Sequence, residues 1–325
     1  VTNKENVLEV NDLVMHYMTR KGPVYAVDGV NFHVGRGEAI GLVGESGCGK
    51  TSIAISLLKL LPDNAKILGG EILVNGVDAV PLDNEEMNAL RWKNISMVFQ
   101  AAMNSLNPVY TVEEQILEAM REHVPHLSDQ EMADKIDYLF ELVGLSPGCK
   151  AQYPHQYSGG MRQRAVIAMA LSCDPDLIIA DEPTTALDVI VQDAILKRVR
   201  EIQEELDMAM IYISHDIAVI AEVSERVGVM YAGKMVEMAS TEAIFHNPIH
   251  PYTMALMSAF PSIVGEKTEL VTLPGEPPDL LAPPKACRFH PRCPYATEIC
   301  REEEPAFKEH GDNHYAACWH PGGKQ

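Results

Sequence analysis

A chain of 325 residues, 46% of them apolar, can build one large folded domain with an appended segment. Its 26 basic against 46 acidic residues give a net charge of −20, which argues against the basic face a nucleic-acid backbone requires. No apolar run reaches the roughly twenty residues of a membrane span, the polar and charged start of Val1 to Val10 does not suit a secretory signal, and seven cysteines in such a chain do not suggest a disulfide framework.

Val7 to Tyr17 and Val24 to Val34 are rich in β-branched and apolar residues and flank Thr19-Arg20-Lys21-Gly22-Pro23, which predicts an antiparallel pair. Tyr17 and Tyr25 could stack on an adenine, although strand tyrosines more often serve packing. Ala39 to Val43 predicts a buried strand, and Ser52 to Leu61 sets Ile53, Leu57, Leu58 and Leu61 on one helical face. Between them stands Gly44-Glu45-Ser46-Gly47-Cys48-Gly49-Lys50-Thr51. Strand, glycine-rich turn and helix in that order form the setting of a phosphate-binding loop. The glycines let backbone N–H groups face a polyphosphate, and the helix N-terminus adds partial positive charge. Lys50 would reach the β- and γ-phosphates, and the Thr51 hydroxyl would help hold Mg²⁺.

Gly70 to Val77 repeats the strand pattern and carries the hairpin signal Asn75-Gly76. Ile95 to Phe99 is a short apolar strand with Gln100 at its carboxyl end, the edge at which α/β sheets bind ligands. A carboxamide there can bond Mg²⁺ and an attacking water. From Thr111 to Cys173 the chain is mostly helical, with apolar helical spacing over Val112 to Met120 and Gln130 to Val143. Tyr157-Ser158-Gly159-Gly160-Met161-Arg162-Gln163-Arg164 opens a further helix reaching Ser172. Its serine and glycines make either a plain N-cap or a second anion-binding corner.

Leu177 to Ala180 leads into Asp181-Glu182, a buried parallel strand ending in two carboxylates. Such a pair needs compensation, which a Mg²⁺-bound polyphosphate supplies, with Asp181 orienting the metal and Glu182 polarising water. Asp188 precedes a helix from about Val189 to Leu206. Met208 to Ile213 is another buried strand, with Ser214-His215-Asp216 at its end, and Val227 to Tyr231 and Lys234 to Met238 read as closing strands. His250-Pro251-Tyr252-Thr253 starts one more helix, to Phe260. Leu273 to Pro284 holds five prolines and a glycine and reads as a linker. The remaining segment carries Cys287, Cys293, Cys300 and Cys318 with His290, His314 and His320. It is too short to bury its own core and needs a staple or a docking surface. The cysteine spacing leaves zinc and a [4Fe–4S] cluster both open.

Taken in order, the phosphate loop, Gln100, the Ser158-Gly159-Gly160 corner, Asp181-Glu182, Asp188 and His215 resemble the Walker A, Q-loop, signature, Walker B, D-loop and H-loop of ABC-transporter ATPases. The resemblance covers roughly Val7 to Phe260. Tyr157 and Met161 depart from the usual LSGGQ at its outer positions and leave intact Ser158, Gly159 and Gly160, which carry the family's phosphate contacts. Phe99-Gln100 with Ser105-Leu106-Asn107-Pro108, the sequence YSGGMRQR, His250-Pro251-Tyr252-Thr253 and Arg292-Cys293-Pro294 resemble the ATPase subunits of dipeptide and oligopeptide importers more narrowly.

The resemblance implies an α/β P-loop NTPase cassette over residues 1–260, with a RecA-like core, an antiparallel β subdomain and a helical subdomain at about 101–172. A small Cys-rich extension follows at 261–325. It implies ATP and Mg²⁺ as ligands, with Tyr17 stacking on adenine and Tyr25 as the fallback. The phosphates would lie against Gly44, Glu45, Ser46, Gly47, Cys48, Gly49, Lys50, Thr51 and Ser52. Thr51, Gln100 and Asp181 would serve the metal, Glu182 would be the general base, and His215 would sense the γ-phosphate. Ser158, Gly159, Gly160 and Asp188 would act across a head-to-tail dimer with a second ABC ATPase, identical or paralogous. Two transmembrane permeases and, indirectly, an extracytoplasmic solute-binding protein complete the implied assembly, peripheral to the cytoplasmic face of the membrane. Some of these ATPases carry a [4Fe–4S] cluster, which favours that centre over zinc on the four cysteines. The alternatives are an importer ATPase for nickel chelates and a soluble ABC ATPase of iron–sulfur assembly.

Overall fold

The computed structural model describes residues 5–100, 105–184, 188–258 and 275–323. The first expected pair forms as β1 (Asn6–Thr19) and β2 (Gly22–Gly35), antiparallel from Asn6 opposite Gly35 to Thr19 opposite Gly22. β3 (Ala39–Val43) is buried at every position and feeds α1 (Lys50–Leu57). This helix starts two residues before the apolar pattern does, because Gly49 caps it from the left-handed region. It stops early because Lys59 turns to a positive φ, although Leu58 still completes the buried face. β4 (Ala65–Val74) pairs with β1 and turns through Asn75-Gly76, both at positive φ, into β5 (Val77–Asp78). That is the twisted two-residue turn that Asn-Gly favours. β4 begins five residues ahead of the expected strand, since pairing of Ala65 with Tyr17 overrides its weak local pattern.

α2 (Asn84–Leu90) is an element the apolar spacing does not reveal, being too short for a period to show. Its signal is the capping box of Asp83 with Glu86, in which each side chain bonds the other's backbone N–H. Thr111 with Glu114 and Ser128 with Glu131 repeat the device at α3 (Val112–His123) and α4 (Asp129–Leu142). β6 (Ile95–Val98) precedes these helices, and α5 (Gly159–Leu171) packs on both of them before bonding back to β6 through Ser96 Oγ and the Ala170 carbonyl at 2.8 Å.

β7 (Leu177–Asp181), α6 (Val189–Glu205), β8 (Ala209–Ile213), α7 (Ile217–Val223), β9 (Arg226–Tyr231) and β10 (Lys234–Ser240) complete the larger sheet's main body. α8 (Thr241–His246) and α9 (Pro251–Ser258) follow, and the last two residues of the helix expected to reach Phe260 lie outside the described residues, as does the start of the proline-rich linker. The C-terminal segment adds α10 (Ile299–Glu302), β11 (Lys308–Glu309) and β12 (Tyr315–Ala316). The strand order is β11-β12-β10-β9-β3-β8-β7-β6. Within it β9, β3, β8, β7 and β6 run parallel, so the chain leaves β3, β8, β7 and β6 along one edge. The phosphate loop, His215, Glu182 and Gln100 sit just past those four ends.

Docking answers the missing core of the C-terminal segment. β12 continues the sheet, with Ala316 opposite Glu237 and Tyr315 opposite Met238. Phe289 is 1% exposed and meets Tyr231 edge-on at 5.2 Å and Tyr252 at 5.5 Å. No helix among the described residues is long and apolar enough to cross a membrane.

Candidate nucleotide site

The loop from Gly44 to Thr51 is shaped by close backbone approach. A Cβ on Gly44 would lie 2.2 Å from the Met230 carbonyl oxygen, and one on Gly49 would lie 2.1 Å from that of Ala26. Only glycine fits either place. α1 then opens with no side-chain cap and no acidic residue in its first turn, which leaves its amides to an anion. Ser46, Gly47 and Thr51 are exposed, while Gly44, Cys48, Gly49, Lys50 and Ser52 are buried. The Lys50 ammonium folds over the loop, donating to the carbonyls of Gly44 at 2.7 Å and Glu45 at 3.2 Å. Cys48 is buried under it, and burial raises its thiol pKa.

Beside the loop, Asp181 is 1% exposed, and both its carboxylate oxygens lack a hydrogen-bond partner of normal geometry. Burial pushes its carboxyl pKa up, while the Thr51 hydroxyl and the Lys50 ammonium pull it down. A buried carboxylate left open next to a phosphate loop fits a Mg²⁺ ion, which takes hard oxygen donors and keeps company with substrate phosphates. Glu182, next in sequence, sits at φ 48°, a strained value for a side-chain-bearing residue. Its carboxylate accepts from Gln100 Nε2 at 2.8 Å and lies 3.2 Å from His215 Nδ1. The fold therefore brings together three side chains that are 33 and 82 residues from each other in sequence.

Tyr17 reaches the same place from β1, its hydroxyl 3.2 Å from Ser52 Oγ in the first turn of α1. Tyr25 is engaged elsewhere. Its ring lies 4.4 Å from that of His16, and its N–H donates to the Leu280 carbonyl of the C-terminal segment. Ser158 is an exposed N-cap on α5, its Oγ accepting from the Met161 N–H at 3.3 Å. The atypical Tyr157 is 4% exposed and donates to the Cys149 carbonyl at 2.8 Å, which anchors the start of that helix. Asp188 caps α6 by accepting from the Val191 N–H, and Thr185, Ala186 and Leu187 lie outside the described residues.

The ABC transporter family model matches residues 27–185, and the model for the C-terminal region of oligopeptide/dipeptide transporters matches residues 236–300. The dipeptide transport ATP-binding protein DppD of Bacillus subtilis is 45% identical over 318 residues, covering 97% of this chain and 95% of its own length. The chain belongs to the ATP-binding proteins of peptide ABC transporters. A probable peptide ABC transporter ATP-binding protein of Sinorhizobium fredii is likewise 45% identical, over 96% of this chain and 94% of its own. Among solved structures, the dimeric ATP-binding cassette MJ0796, in a post-hydrolysis state with ADP and Pi, aligns with TM-score 0.64 at 26% identity. It covers 72% of this chain and 98% of that one. This ABC ATPase thus has the cassette fold and couples ATP hydrolysis to transport.

Two residues far from the loop in sequence grip it with no local signal that they do. The Glu45 N–H donates to Tyr252 Oη at 3.0 Å, and the Glu45 carboxylate is held by Arg292, itself bonded to Tyr231 Oη. Tyr252 is set by a buried network in which Glu237 accepts from the N–H groups of Ile249 and His250. Burial lowers the His250 pKa to about 4, so its neutral Nδ1 accepts from the Tyr252 N–H at 3.1 Å. Apolar spacing carries no trace of these contacts.

The metal centre expected on the four cysteines, a [4Fe–4S] cluster with zinc as the alternative, is not seen as a formed site. Among the described residues no three His, Cys, Asp or Glu side chains are placed to hold a metal ion. Each of Cys287, Cys293, Cys300 and Cys318 nonetheless lies within electrostatic range of the other three. Burial, reinforced by these neighbours, pushes Cys287 up to about 11 and Cys318 to about 12. The His320 N–H donates to Cys318 Sγ at 3.3 Å, and Thr297 Oγ1 lies 3.6 Å from Cys300 Sγ.

Proposed function

We propose that this chain powers the uptake of dipeptides or oligopeptides by closing head to tail with a second ABC ATPase around two ATP molecules. The observation that supports it most is the single sheet edge that gathers the phosphate loop, the orphaned Asp181 and the Glu182–Gln100–His215 group in a chain whose C-terminal part matches the peptide transporter family. The relatives' names favour peptides over nickel chelates and over a soluble assembly role.

In this reading Lys50 leaves the loop carbonyls for the β- and γ-phosphates, and the open amides of α1 hold the phosphate oxygens. Mg²⁺, when bound, neutralises the charge that develops on the phosphoryl oxygens. Thr51, Gln100 and Asp181 would hold it. Glu182 accepts the proton of the water that attacks the γ-phosphorus, and the Gln100 and His215 bonds fix its carboxylate in place. Tyr17 stacks on adenine. Ser158, Gly159 and Gly160 complete the partner's site, and Asp188 lies at the same interface. Residues 1–260 are the cassette and 261–325 the Cys-rich extension, with the helices of 101–172 relaying closure to two permeases at the cytoplasmic face. A solute-binding protein on the other side would supply the peptide.

The four cysteines, as a donor set, fit a [4Fe–4S] cluster better than zinc, because a cubane spreads its thiolates around four irons. The cluster would staple the segment, far from the phosphates in role. Anaerobic purification is expected to give a brown protein with about four irons and four sulfides per chain. A colourless protein with stoichiometric zinc would decide against it. The assembly itself is tested by purification from the native membrane. Hydrophobic permeases should be retained with the chain, and retention of soluble scaffold proteins in their place would contradict the importer reading.

A further inference from the structure

We infer that Arg292 is a positioning residue of the ATP site, neutralising Glu45 and fixing the crest of the phosphate loop from the C-terminal segment. A carboxylate is a costly occupant of a loop that binds a polyphosphate, because like charges at short range oppose binding. The structure supplies its compensation. Arg292 forks onto Glu45, Nη1 to Oε2 at 2.7 Å and Nη2 to Oε1 at 3.1 Å. The arginine side chain is 6% exposed, and its guanidinium lies 5.7 Å from the centre of the Tyr231 ring, whose hydroxyl accepts from Nη1 at 3.3 Å. Bidentate geometry on a nearly buried guanidinium makes this a directional, charge-assisted pair.

The rest of Glu45 is held as well. Its N–H goes to Tyr252 and its carbonyl accepts from Lys50. Within the motif the Cys48 N–H also donates to that carbonyl at 3.3 Å, while Tyr252 and Arg292 hold Glu45 from outside it. Arg292 ends the short turn His290–Arg292, directly before Cys293, so the anchor is part of the same turn that leads into the cysteine group. The inference rests on the loop's role in binding ATP and needs no bound metal.

The test is a set of variants read by binding of a fluorescent ATP analogue and by the split between KM and kcat. Arg292→Met is expected to raise KM for ATP about tenfold, the scale of one uncompensated charge near a polyphosphate. Its kcat should stay within about twofold, since the groups around the attacking water are untouched. Adding Glu45→Gln to Arg292→Met should recover most of the affinity, because the opposing charge is then gone, and raising the salt concentration should shrink the single variant's defect. A merely structural prop predicts otherwise: KM unchanged with a lowered Tm, or a double variant no better than the single one. Either result would overturn the inference. Should Arg292→Met fail to fold, Arg292→Lys carries the test, keeping the charge while losing the fork. A KM raised about threefold is expected from it, and an unchanged KM would overturn the proposal. Failure of the wild-type chain to bind the analogue would instead count against the nucleotide site itself.

Discussion

Glu182→Gln is expected to bind ATP as the wild type does and to hydrolyse it roughly a thousandfold more slowly, the range seen when a positioned general base is lost. The amide keeps the size of the side chain and the bond from Gln100 can be replaced by its own carbonyl, but it cannot accept a proton from water. Asp181, Lys50 and the open turn of α1 are unaltered, so the binding groups remain. ATP that is bound and not consumed should hold two cassettes closed, and the variant should elute as a dimer with ATP and Mg²⁺ while the wild type does not. Strain adds a control. Glu182 occupies φ 48°, so Glu182→Gly relieves the backbone yet removes the carboxylate. It should be as inactive as the glutamine variant if the carboxylate matters and not the bend.

The second large effect concerns the exposed Ser158 at the head of α5. A head-to-tail dimer builds each nucleotide site from Lys50 of one subunit and Ser158 of the other. Ser158→Arg and Lys50→Ala are therefore predicted to complement by placement. Carried on different subunits of a mixed dimer, they spoil the same site and leave the other whole, so about half the activity should survive. Carried on one subunit they spoil both sites, and activity should fall about a hundredfold, the cost of losing a donor that stabilises developing charge. The reverse pattern would place Ser158 against its own subunit's loop and refute the head-to-tail arrangement.

Most of this site is readable from local sequence because each part is a strand end followed by a chemically distinctive residue. The apolar runs Ala39–Val43, Leu177–Asp181 and Ala209–Ile213 are fully buried strands in the structure, and their C-terminal ends carry the loop, Glu182 and His215. What could not be read is what depends on contacts between distant stretches. β4 extends to Ala65 because β1 is there to pair with it, and β11 and β12 are two residues each, too short for any alternation to show. The same holds for Arg292. It lies 247 residues from Glu45, and nothing in the composition of a cysteine- and proline-rich tail marks that arginine as a neighbour of the phosphates. The hydroxyl contact of Tyr17 with Ser52, 35 residues away, is likewise one that strand positions do not disclose.

The central claim is that hydrolysis at this loop drives peptide entry, and ATP-driven transport across the membrane of sealed vesicles tests it most directly. The chain is reconstituted in proteoliposomes with the permeases that copurify with it and their binding protein, with the ATPase facing the bath and a labelled tripeptide loaded with the binding protein inside. ATP and Mg²⁺ in the bath should move label out of the lumen and raise ATP turnover together, and Glu182→Gln should abolish both. Label that moves equally without ATP, or with the Glu182→Gln chain, would contradict the account.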